Sequence, residues 1–129
     1  MTKRRQFNKG ERRAVLRKTG GHCAYCGKPI GYYDMQVDHV IPLRKGGTND
    51  LDNLVPACRS CNHYKSTLTV NQFRESLGQI PGVLTRDSAS YRIAKEYGII
   101  KEEPGKIVFY FEKPHDEEEE EEEAAEEEE

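Results

Sequence analysis

Two short stretches hold every cysteine in the chain: "CAYC", with Cys23 and Cys26, and "CRSC", with Cys58 and Cys61. Each pair has two residues between its thiols, and 31 residues separate Cys26 from Cys58. A Cys-x-x-Cys turn brings two thiolates to one edge of a tetrahedron, and two such turns close the shell around one metal ion. Gly27 follows the first pair, where a knuckle turn calls for positive φ. A redox dithiol or four unrelated buried thiols are the competing readings. The shared spacing, with no cysteine left over, favours a single four-thiolate zinc site through Cys23, Cys26, Cys58 and Cys61. A closed shell keeps no open position, so this zinc is expected to be structural.

The need for such a staple follows from composition. The chain has no Trp and 35% hydrophobic residues, too few for a deep core. Not all of its 129 residues can fold. From Asp116 onward, 12 of 14 residues are acidic, a composition with nothing to bury, so a disordered acidic tail is expected over 116–129. The other 11 acidic side chains share residues 1–115 with 20 Lys and Arg, a net charge of +9 in place of −3 for the whole chain. A basic body of this kind is the footprint of a phosphate-backbone binder. The charge is densest at Lys3, Arg4, Arg5, Lys9, Arg12, Arg13, Arg17 and Lys18.

No apolar run approaches the roughly 18 residues of a membrane span. Gly10-Glu11-Arg12-Arg13 interrupts the start where a signal peptide would need an apolar stretch. The expected setting is cytoplasmic, with no membrane partner, which fits reduced thiols.

Between the knuckles, Met35 to Asp38 reads as a strand stopped by Pro42. "RKGGTNDLDN" (44–53) is turn-rich, "LVPA" (54–57) is a second strand, and "SCNHYKST" starts a helix. The zinc thus staples a strand, loop, strand and helix whose middle carries Asp38 and His39. Alone, Asp38 would cap a turn and His39 would sit on the surface. Asn53 from the second strand and Asn62 and His63 from the helix start give them company.

At this point the chain resembles the HNH endonuclease family, the ββα-metal nucleases. The likeness rests on "CAYCG", "VDHVIPLRKGG", "DLDNLVPAC" and "CRSCNHYKS", and covers residues 22–68. It implies His39 as general base, Asp38 as ligand of a catalytic divalent metal, and Asn53 as the residue that holds the loop and orients the histidine. It also implies Asn62 as second metal ligand, with His63 its rival. Adjacent helical positions differ by about 100°, so both cannot face one metal equally. The chemistry wants the same residue types: a neutral imidazole to take a proton from water, and hard oxygen donors for Mg2+ or Mn2+. Lys65, Arg44 and Lys45 are candidates for phosphate contacts or for solvated charge.

The expected fold is α+β: a ββα-metal finger stapled by a four-cysteine zinc site, with flanking helices and a C-terminal strand. Residues 1–21 form a basic N-terminal helix, with Ala14, Val15 and Leu16 packed inward and Arg12, Arg13 and Arg17 left for phosphates. Residues 22–68 form the nuclease core and 69–115 an extension. That extension has short helices over "TVNQFRESLG" (69–78) and "TRDSASYRIAKEYG" (85–98), then a strand over "KIVFYFEK" (106–113). The expected function is a Mg2+- or Mn2+-dependent endonuclease cutting DNA, with RNA also open. The rivals are a non-catalytic zinc-knuckle module that binds nucleic acid and a zinc adaptor that recruits a partner through its tail.

Overall fold

The computed structural model describes residues 5–103 and 105–114; the expected acidic tail lies outside the described residues. The first element, α1 (Lys9–Arg17), starts where Asn8 and Glu11 cap each other in a reciprocal capping box. Its buried face is Val15 and Leu16, each worth about 1.5–3 kcal/mol of burial. Lys18, just beyond, donates through Nζ to the carbonyls of Leu51 at 2.7 Å and Leu54 at 2.6 Å.

The first knuckle is a tight loop in which the Cys23 amide bonds the Lys28 carbonyl at 2.8 Å and the Gly27 amide bonds that of Cys23 at 3.0 Å. Gly27 has φ +81°, as its place in the turn requires, and a Cβ there would meet the Tyr110 ring at 2.9 Å. Strands β1 (Gln36–His39) and β2 (Leu54–Ala57) then pair antiparallel, with Asp38 opposite Val55 and His39 opposite Leu54. All of β2 is buried. Helix α2 (Arg59–Lys65) follows at once, capped by the Cys58 sulfur, which accepts from the Cys61 amide. Mixed helix and a small two-stranded sheet, with the cysteines gathered beside it, is the α+β architecture expected.

Two compact units emerge. The first takes in the described residues up to 70 and those from 108; the second is 71–107. Helix α3 (Val70–Asp87) runs 18 residues, well past the short segment expected, and carries Pro81 inside it. Proline removes one helix hydrogen bond without ending this helix. Helix α4 (Ala89–Glu96) is capped by Ser88. Arg92 from α4 reaches back to the carbonyls of Thr85 at 2.8 Å and Arg86 at 3.0 Å, satisfying the end of α3.

The expected C-terminal strand is not formed. Residues 106–109 are irregular and Tyr110–Glu112 is a 3-10 turn. The run of β-branched and aromatic residues that suggested a strand is real, but no strand pairs with it among the described residues. The segment instead docks on the first knuckle: the Tyr110 amide bonds the Tyr25 carbonyl at 3.1 Å and the Phe111 amide that of Ala24 at 2.8 Å. Phe109 and Phe111 both meet the Tyr25 ring edge-on, at 5.3 and 5.8 Å between centroids. No helix among the described residues is long and apolar enough to cross a membrane.

Candidate functional site

The four cysteine sulfurs lie within 4.8 Å of one another. Sulfurs about 2.3 Å from a central zinc would stand roughly 3.8 Å apart along a tetrahedral edge; Cys26 and Cys58 are 3.9 Å apart. Backbone amides already point at the sulfurs: Cys58 N–H at Cys23 Sγ, 3.3 Å, and Cys61 N–H at Cys58 Sγ, 3.4 Å. The Cys23 thiol is drawn down to about 4, chiefly by its bond with Cys61 and helped by amides of Cys58, Cys26 and Tyr25. The same bond, then burial, pushes Cys61 up, and burial pushes Cys26 up. One negative charge thus forbids its neighbours theirs, and a cation would let all four ionise. The donor set fits a single thiolate-bound metal ion.

A second site opens at the end of β1. Asp38, His39, Arg44, Asn62, Ser66 and Thr67 are among the residues lining a cavity of about 360 Å³. Asp38 and His39 reach it from the strand, Arg44 from the 3-10 turn Leu43–Lys45, and Asn62 from α2. His63, the rival to Asn62, is exposed and does not line this cavity. The one-residue step around α2 separates them.

Asp38 is 5% exposed. Its Oδ2 accepts a hydrogen bond from the Tyr25 hydroxyl and pairs with Lys65 Nζ at 3.0 Å. Lys65, 0% exposed, also donates to the His39 carbonyl at 2.9 Å. It is therefore neither a phosphate contact nor a solvated charge. Burial, then the Asp38 charge, pushes the Tyr25 hydroxyl well above its usual range, so it remains a donor.

His39 is 6% exposed, and its Nε2 lies 2.8 Å from Asn49 Oδ1. An amide oxygen only accepts, so a neutral imidazole making this bond would carry its proton on Nε2 and its lone pair on Nδ1. The side-chain hydrogen bonds of Asn53 go to the loop and not to the ring. Its Oδ1 accepts from the Ile41 amide at 2.9 Å, and its Nδ2 donates to the carbonyls of Ile41 and Thr48, both at 2.9 Å. It splints the loop 41–48, and Gly47 completes the splint: a Cβ there would fall 1.8 Å from the Ile41 oxygen.

Two residues that touch the site escaped the sequence reading, Tyr25 and Asn49, and Lys65 was read for phosphate or solvent and not for the buried pair it makes. For Lys65 a signal existed, because Asn62 and Lys65 are three apart and share a helix face. Nothing local marks Tyr25 or Asn49. Arg12, expected at phosphates, is a clamp: Nη2 donates to the carbonyls of Tyr32 at 3.0 Å and Met35 at 3.1 Å.

Comparison with known proteins places this geometry. Residues 23–67 match the family model described as HNH endonuclease. The CRISPR-associated endonuclease Cas9 of Actinomyces naeslundii is 36% identical over 75 residues, 57% of this chain and 7% of that protein. The Cas9 of Corynebacterium diphtheriae is 46% identical over 44 residues, 33% of this chain and 4% of that protein. The type IV methyl-directed restriction enzyme EcoKMcrA of Escherichia coli is 37% identical over 59 residues, 39% of this chain and 21% of that protein. The crystal structure of the Type II-C Cas9 enzyme from A. naeslundii superposes with a TM-score of 0.50 at 34% identity, over 59% of this chain and 9% of that one. The chain thus spans less than a quarter of each of these relatives.

Proposed function

From the HNH endonuclease segment at residues 23–67, we propose that this chain is a metal-dependent endonuclease that hydrolyses DNA phosphodiester bonds. The observation that carries the reading is the convergence of Asp38, His39 and Asn62 on one cavity with Arg44 in its wall. A carboxylate, an imidazole with a defined tautomer and an amide oxygen are the groups that hydrolysis of a phosphodiester asks for.

Asp38 and Asn62 would hold Mg2+ or Mn2+, which supplies charge stabilisation at the phosphate. The bonds to Tyr25 and Lys65 fall on Asp38 Oδ2. Oδ1 is thereby left to face a cation, and both donors are hard oxygens that suit these ions. His39 takes the proton of the attacking water at Nδ1, while Asn49 holds the opposite nitrogen. Arg44 stands where a phosphate oxygen would lie. Asn53 keeps the loop that carries Arg44 in register with β1. Zinc at the four cysteines holds α2 and the first knuckle together, and takes no part in the chemistry. The net charge of +9 over residues 1–115 draws the polyanion in.

Conversion of supercoiled plasmid to nicked or linear forms, with Mg2+ or Mn2+ and with EDTA, tests the reading. Metal-dependent cutting is expected, with His39→Ala slower by about 10²–10⁴-fold. A single-stranded RNA arm tests the alternative substrate. Binding without cutting under every metal would leave a non-catalytic nucleic-acid module, and undiminished cutting by His39→Ala would remove the base.

A further inference from the structure

Tyr25 sits between the two thiols of the first knuckle and is 3% exposed. Its backbone and its side chain face different business. Its backbone lies inside the knuckle turn that the Gly27 amide closes on the Cys23 carbonyl at 3.0 Å, so the main chain belongs to the cysteine cluster. The hydroxyl reaches across the core to Asp38 Oδ2. Three elements set the ring between these ends. The knuckle fixes its backbone, Phe109 and Phe111 from the C-terminal segment meet it edge-on at 86° and 87°, and Lys65 Nζ lies 5.9 Å from its centroid. A buried hydroxyl so fixed is a poor candidate for mere filling, since Phe would fill the space with no polar atom to satisfy.

We propose that Tyr25 is a positioning residue that ties the four-cysteine metal site to the catalytic centre, by holding the Asp38 carboxylate so that its Oδ1 faces the cavity. The inference rests on the reading of Asp38 as a metal ligand. A carboxylate gripped at one oxygen presents the other in a single direction, and the grip is anchored in the turn that the thiolate-bound metal organises. Lys65 grips the same oxygen from α2. A lysine could follow the carboxylate through a rotation about its Cβ–Cγ bond, because its stem is flexible. A tyrosine locked by two ring contacts could not. The hydroxyl therefore decides the orientation, and the ammonium supplies charge.

The test is direct Mn2+ binding, read from the electron paramagnetic resonance of free Mn2+, on full chain carrying its thiolate-bound metal. Asp38→Ala gives the background, including any binding by the 12 acidic residues after His115. Wild type is expected to show one site above it. Tyr25→Phe keeps the ring and removes the hydroxyl; it should weaken that site by about 10–100-fold, the usual effect of losing a group that orients a ligand. Metal content at the four cysteines and the thermal midpoint should stay near wild type. Phe111→Leu, which removes one ring contact and keeps the hydroxyl, should weaken the site less. Unchanged Mn2+ affinity in Tyr25→Phe, beside its loss in Asp38→Ala, overturns this inference alone. Equal weakening in Tyr25→Phe and Phe111→Leu overturns it in favour of packing, and loss of the thiolate-bound metal from Tyr25→Phe overturns it in favour of a purely structural role. A Mn2+ site that survives Asp38→Ala removes Asp38 as a ligand, and this inference with it.

Discussion

Replacing Lys65 with Met leaves most of the aliphatic stem in place and removes a buried ammonium. That ammonium is 0% exposed, lies 3.0 Å from Asp38 Oδ2 and donates to the His39 carbonyl at 2.9 Å. At 3.0 Å and an effective dielectric of about 20, the direct attraction is roughly 5.5 kcal/mol. Part of this offsets the desolvation of both charges, so the pair as a whole contributes less. The substitution, however, keeps the cost of burying Asp38 and removes its main compensation. Breaking a buried pair in this way destabilises by about 3–5 kcal/mol, a large fraction of the roughly 5–15 kcal/mol that holds a domain of this size. Adding Asp38→Asn to Lys65→Met removes the stranded charge while Tyr25 still donates to the amide oxygen. The double variant should therefore be more stable than Lys65→Met alone, with a coupling energy on the order of 2–3 kcal/mol. Urea denaturation followed by circular dichroism, at one fixed concentration of free zinc, measures all four corners of the cycle. A loss under about 1 kcal/mol for Lys65→Met, or singles that add to the double within about 0.5 kcal/mol, would refute the reasoning.

Metal analysis should find one zinc per chain, and a chelator should collapse the amide dispersion of residues 5–70 in NMR spectra, since the site's binding energy is folding energy; acidification should release the zinc as the thiolates protonate. Asn62→Ala should raise the Mg2+ concentration needed for half-maximal cutting by about tenfold or more, and His63→Ala should leave it near wild type; a Mg2+ titration showing the opposite order would move the ligand to His63. Asn53→Ala should lower stability by about 1–2 kcal/mol in urea melts, through three lost hydrogen bonds at a partly exposed site, and should slow cutting without altering zinc content. Equal stability of this variant would mean that loop 41–48 does not depend on the splint.

How much of this was legible without the structure follows from the range over which each feature is decided. The cysteine cluster was legible because two identical knuckle spacings leave few ways to dispose of four thiols. Strand β2 was legible to the residue, since Leu54–Ala57 is bounded by Asx-rich turns on one side and a knuckle on the other. The gathering of Asp38, His39 and Asn62 was legible only through the spaced pattern as a whole. Tertiary structure alone decided the rest. Lys65 looks like any surface lysine until β1 supplies a carboxylate and a carbonyl for it. Arg12 looks like a phosphate ligand until the carbonyls of Tyr32 and Met35 claim it. "KIVFYFEK" is composed like a strand, but a strand needs a pairing partner, and the first knuckle took up its amides and rings instead. Spacing along the chain determines which groups a short turn or helix face can gather. Which partner a long side chain or an unpaired segment finds is settled by residues tens of positions away, brought close only once the chain has folded.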